Sequence, residues 1–145
     1  MGPWPVREVT EFPDILKAAE DVLTWGFPRP IYQHELEAGA WFRMGKGVVW
    51  WYEPPQECTE PGDLWIHFAV AQRVRHVWPI RRWMTATQII AELVGGERLV
   101  FSPTKGCPEI SEYAIRAGWK ADKNGRLLLP LGGEARWESR RRLRS

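Results

Sequence analysis

Glu53 and His67 are the first two side chains in this sequence that could do chemistry together. They lie in two apolar runs, 48–53 and 64–70, each of which reads as a strand. An unperturbed imidazole titrates near ~6.5, so beside a carboxylate it can take a proton from an amine at neutral pH. The plain alternative is a hydrogen-bonded sheet histidine next to a surface glutamate. A second group is basic: Arg73, Arg75, Arg81 and Arg82 crowd around His76 between a strand and a helix. Guanidinium groups there can gather a phosphate or another polyanion, or simply keep the junction solvated.

Two further groups point to partners rather than to reactions. Trp41, Trp50, Trp51 and Trp65 lie on adjacent expected strands and form either an aromatic patch for a protein or nucleobases, or a tryptophan-heavy core. Trp50 and Trp51 are consecutive, so they face opposite sides of their strand. One of them then lies outside the main core or under a helix on the other face, and an exposed one would mark an interface. The chain ends with Arg136, Arg140, Arg141, Arg142 and Arg144 against Glu134 and Glu138. With Trp137 and Leu143 as apolar anchors, 134–145 reads as a short helix or a disordered arm for a protein partner or, less directly, nucleic acid.

Other chemistry is excluded more easily. His34, His67 and His76 have no metal-ligand spacing, so no metal is expected. Cys107 precedes Pro108 at a helix start, where a thiolate is favoured, but no histidine stands near it in sequence to support a nucleophile. Cys58 and Cys107 form no CxxC pair and no disulfide framework, which fits a reduced intracellular setting.

The elements that must position these groups can be read from periodicity. The segment 64–70 is apolar nearly throughout, the pattern of a strand covered on both faces. Pro79 suits a first helical turn, and Ile80, Trp83, Met84, Thr87, Ile90, Ala91 and Val94 share one stripe of a helix over 79–94. Gly95-Gly96 ends that helix, a strand follows over 98–102, and a second helix over 108–117 stops at Gly118. Upstream come a strand over 5–10, a helix over 14–25 and a stiff Phe27-Pro28-Arg29-Pro30. The segment 31–37 reads equally as a helical turn or a loop. Strands over 40–44 and 48–53 flank the hairpin signal Gly45-Lys46-Gly47, and Asn124-Gly125 marks another before a closing strand over 126–131. The sum is a mixed α/β sheet with a meander in its middle.

Length and charge set the outer limits. The 145 residues fit one domain, 1–133, with the basic end as a tail. A net charge of +2 gives the body no general affinity for polyanions. No apolar run approaches the ~20 residues of a membrane helix. Met1-Gly2-Pro3-Trp4-Pro5 carries no secretory pattern, so the expected place is the cytoplasm or a virion.

The element order, and the segment 63–120 above all, resembles the GNAT (Gcn5-related N-acetyltransferase) superfamily. The ending Tyr113-Ala114-Ile115-Arg116-Ala117-Gly118-Trp119 is similar to that family's helix–glycine–aromatic region. The resemblance implies a single-domain, mostly antiparallel twisted sheet flanked by helices. It also implies acetyl-CoA along the central strand at Val70, its diphosphate near Arg73, Arg75, His76 and Arg81, and a tyrosine as general acid. Two departures stand out. The family's glycine-bearing phosphate loop reads here Gln72-Arg73-Val74-Arg75-His76-Val77-Trp78-Pro79, without a glycine and with a proline that donates no N–H. The tyrosine position, four before the glycine, holds Ala114, and Tyr113 stands about 100° around the helix. An architecture with those losses is similar to small phage-encoded GNAT-like proteins, some of them virion components. The expectation is a non-catalytic binding or assembly protein. The rival is an acetyl-CoA-dependent N-acetyltransferase in which Glu53 or His67 takes the amine proton.

Overall fold

The computed structural model describes residues 4–37, 40–53, 60–103, 108–132 and 134–144. The chain forms two compact units, Met1–Glu53 with Ile66–Trp78, and Pro54–Trp65 with Pro79–Ser145. One strand, β4 (Asp63–Val70), contributes to both. The strands make a seven-stranded mixed sheet, antiparallel in four of the pairings described and parallel between β4 and the strand that follows it. Helices flank the strands, so the α/β, mostly antiparallel architecture expected from the sequence is the one observed.

The first unit holds β1 (Val6–Val9), α1 (Phe12–Thr24), α2 (Gln33–Glu37), β2 (Trp41–Met44) and β3 (Val48–Glu53). Helix α1 has Pro13 in its first turn and ends before Gly26, whose φ of 94° only glycine adopts readily. Its buried stripe, Ile15, Ala18, Ala19 and Val22, packs with Val9, Trp41, Val49, Trp51 and Ala69. The 31–37 ambiguity resolves into the five-residue helix α2. β2 and β3 pair antiparallel around Gly45, which sits at φ 59°.

Every residue of β2 and β3 is buried. Trp41 and Trp51 are register partners whose rings stack with centroids 4.4 Å apart and planes 7° from parallel. Phe42, Trp50 and Tyr52 fill the opposite face, where the Trp50 indole donates to the Tyr52 hydroxyl at 3.2 Å. Burial pushes the Tyr52 phenol well above its ordinary range and keeps it neutral. Trp50 and Trp51 are both 0% exposed, so the expected partner-binding role of this pair is corrected: neither ring reaches the surface.

The second unit holds the start of β4, α3 (Ile80–Leu93), β5 (Arg98–Phe101), α4 (Pro108–Arg116), β6 (Lys120–Ala121), β7 (Leu127–Pro130) and α5 (Glu134–Arg144). The β4–β5 ladder runs from Asp63↔Arg98 to Trp65↔Val100. Arg98 clamps buried Asp63 with two bonds of 2.8 Å. The end of the chain is the helix α5, with Ser139, Arg140 and Leu143 buried. That packing changes the expected face of α3. Val94 is exposed, while Gln88 is fully buried and donates to Ser139 Oγ at 3.0 Å. Arg140, expected to meet a partner, is instead buried and bonds Glu92 at 2.7 Å.

Candidate functional site

The strands β3 and β4 place Glu53 and His67 side by side, as their spacing predicts. His67 Nε2 lies 2.6 Å from Glu53 Oε2. Glu53 is not a surface residue: its side chain is 3% exposed, because β3 is covered on both faces. Its other oxygen, Oε1, lies 2.6 Å from Nε2 of His34 on α2. An ionised carboxylate only accepts, so each ring donates to Glu53 from Nε2.

Glu35, the neighbour of His34 on α2, is fully buried beneath this pair. Its carboxylate takes a two-pronged bond from Arg29, at 2.6 and 3.1 Å, and one from the Trp51 indole at 2.7 Å. The Tyr32 N–H adds a bond of 3.2 Å, and the Glu35 carbonyl accepts from the Trp41 indole at 2.9 Å. Burial alone would raise the Glu35 carboxyl, but the bonds from Arg29, Trp51 and Tyr32 outweigh it and hold the group below its usual range. Arg29 in turn lies over the Phe27 and Tyr32 rings, and Tyr32 stacks on His34 at 5.8 Å. Glu35 Oε2 is 3.9 Å from His67 Nε2, so the two carboxylates and three basic groups form one connected cluster in the first unit.

His34, Glu35 and Arg29 are the residues that sequence reasoning missed as members of this cluster. The available signal was weak: a histidine and glutamates in the short segment 31–37, just after a proline-stiffened turn carrying Arg29.

The expected coenzyme residues are arranged differently. Val70 is buried, and its carbonyl accepts from Arg75 Nε at 3.3 Å. Arg75 also reaches the Trp25 carbonyl at 3.4 Å, and Arg73 reaches the Lys46 carbonyl at 3.3 Å. His76 is exposed. Arg81 belongs to the second unit and lies 6.0 Å from the Tyr113 ring, with Arg116 at 5.8 Å. Tyr113 is half-buried on α4 in that unit, and Ala114, at the family's tyrosine position, is buried.

The loop after β4 uses its own amides. A 3-10 turn over Gln72–Val74 brings the Val74 carbonyl round to accept from both Val77 and Trp78, each at 3.0 Å. The Val74 and Arg75 amides donate to Ala71 and Gln72. A diphosphate needs amides that are still free to donate. Four amides of this loop, those of Val74, Arg75, Val77 and Trp78, are already used within it. Cys107 lies outside the described residues.

No family model matches the sequence, and no curated protein matches it. Solved structures do resemble it. The GNAT domain of S. lividans PAT matches with a TM-score of 0.64 at 11% identity, over 90% of that chain and 88% of this one. The ribosomal-protein-S18-alanine N-acetyltransferase from Escherichia coli matches at 0.60 and 13%, over 97% of that chain and 90% of this one. N-acetylglutamate synthase from Neisseria gonorrhoeae, complexed with coenzyme A and L-arginine, matches at 0.63 and 13%, over 34% of that longer chain and 90% of this one. The mixed, mostly antiparallel seven-stranded sheet with its flanking helices and these likenesses agree on one architecture: the chain has the GNAT acetyltransferase fold.

Proposed function

We propose that this chain is an acetyltransferase-like protein that works by binding, as a component of a larger assembly, and does not turn over acyl-CoA. The observation that carries the reading is the loop after β4, where Val77 and Trp78 both donate to the Val74 carbonyl. The bulky sequence His76-Val77-Trp78-Pro79 stands where a coenzyme loop would place glycine. A protein partner is supported by the surface of the second unit. Arg141 and Arg142 are exposed on α5, and Trp137 on the same helix is 54% exposed beside the Arg140 guanidinium. Such a surface suits an acidic partner with apolar anchors, as in a virion-associated protein.

A second reading is favoured by one geometry: the Glu53 carboxylate, 2.6 Å from His67 Nε2, would orient that ring as a base for an amine. In that reading the chain is an N-acetyltransferase whose diphosphate is held by arginine charge alone.

Thermal unfolding with and without millimolar acetyl-CoA separates the two, because a ligand of the native state raises the melting temperature by mass action. The binding reading expects no shift. A rise of several degrees, abolished by Arg75→Ala, overturns it in favour of the transferase.

A further inference from the structure

We propose that the outward face of α3 pairs with α3 of a second copy of this chain, the two helices running antiparallel about a two-fold axis. The helix has two contrasting sides. Trp83, Met84, Thr87 and Ala91 are buried, and Gln88 and Glu92 bond to α5. Arg82, Ala86, Ile89 and Leu93 fall within about 60° of one another on the opposite side. Their spacing of four, three and four is that of a helix–helix seam. Leu93 is 79% exposed, the highest value for a large apolar side chain among the described residues, and Ile89 is 42% exposed. Val94, exposed, and Ile90, half-buried, widen the strip. Ala86 is small enough to let another helix come close.

Charge names the occupant. A helix favours acids in its first turn and bases in its last, and α3 has neither. Arg81 and Arg82 stand in its first turn, Glu92 in its last, and exposed Glu97 just beyond. The charges at both ends thus oppose the helix dipole. An antiparallel copy of the same helix reverses this, because it brings arginines to acids at both ends of the pair.

The two-fold axis also fixes a register. With Ala86 opposite Ile89 of the second copy, Arg82 falls opposite Leu93 of that copy. Its methylene stem then covers the leucine while its charge meets the last carbonyls of that helix. Such an axis sets like flanks side by side, so Arg81 comes within about two residues of rise of the second copy's Glu92. Trp137 borders this flank, since its ring lies 5.4 Å from the Arg140 guanidinium that bonds Glu92.

Sedimentation equilibrium of the full chain from about 5 μM to about 1 mM tests the pairing. One helix face is smaller than the roughly 1,200 Å² of a stable interface, so a dissociation constant of tens to hundreds of micromolar is expected. Leu93→Glu changes an exposed side chain. It should raise that constant at least about tenfold and leave the melting temperature of the dilute protein unchanged. Arg82→Ser should also weaken the pair. A parallel pair would set Arg82 against itself, and the same variant would then tighten it. A chain still monomeric at about 1 mM overturns the proposal. So does a dimer that Leu93→Glu and Ile89→Glu both leave intact, or one that Arg82→Ser tightens. Acetyl-CoA plays no part in these measurements, so the assembly reading stands or falls separately, on the melting test.

Discussion

The indole of Trp51 donates its N–H to Glu35 Oε2 at 2.7 Å, although one stands in the middle of a strand and the other on a five-residue helix. Both side chains are fully buried. Trp51→Phe removes the donor and some volume while leaving an aromatic ring. An acceptor stripped of a buried donor costs about 1–3 kcal/mol, and that loss should appear as a lower denaturation midpoint with an unchanged slope.

The same carboxylate sets a pH dependence. Glu35 sits below its ordinary 4.5 in the folded chain, so the unfolded state binds its proton first. The stability it contributes is complete above 4.5 and fades as pH falls through the lower folded value. Urea midpoints followed downward from neutral pH should drop in the native chain. Glu35→Gln should be weaker at neutral pH and flatter across that acidic window.

In the second unit, Arg98 holds Asp63, whose side chain is 2% exposed, through both prongs of its guanidinium. Arg98→Ala leaves that carboxylate buried without its main counter-charge and should cost about 3 kcal/mol. Arg98→Lys keeps the charge but loses the fork, and should fall between the two by equilibrium unfolding.

Gly47 allows the β2–β3 turn to lie against the loop after β4. Its carbonyl accepts from Ala71 at 2.8 Å, and an added Cβ would stand 2.5 Å from Val74 Cγ2. Gly47→Ala should destabilise by about 1–3 kcal/mol. Pairing it with Val74→Ala should recover much of that loss, and a double-mutant cycle measures the coupling.

Helix α5 carries two kinds of arginine. Deleting 134–145 removes the buried Ser139, Arg140 and Leu143 and uncovers Gln88. The truncated chain should therefore lose stability in the second unit, whatever its binding. Arg141→Ser with Arg142→Ser changes exposed side chains bonded to Glu138 on their own helix. It should shift stability by no more than about 0.5 kcal/mol while weakening any acidic partner, which makes it the cleaner probe of assembly.

Much of the fold was legible because its signals are local. Pro79, Gly95 and Gly118 bracket the helices, and Gly45-Lys46-Gly47 marks the hairpin where the structure has it. The Glu53–His67 contact was legible because both lie on strands of strong apolar pattern. His34 and Glu35 were not, since a five-residue helix has too little periodicity to declare a face. The burial of Trp50 and Trp51 was also hidden. Alternation says that they point apart, not that both faces of β3 are covered. The docking of Arg140 depends on Glu92, 48 positions away, and an arginine-rich sequence reads the same whether its charges are paired or free.

The parallel indoles of Trp41 and Trp51 carry an optical consequence. Two such chromophores stacked 4.4 Å apart couple their transitions, so the first unit should absorb less strongly in the ultraviolet than two separated indoles do. Replacing either ring would abolish that hypochromism, giving a way to watch this half of the molecule lose its order separately from the other.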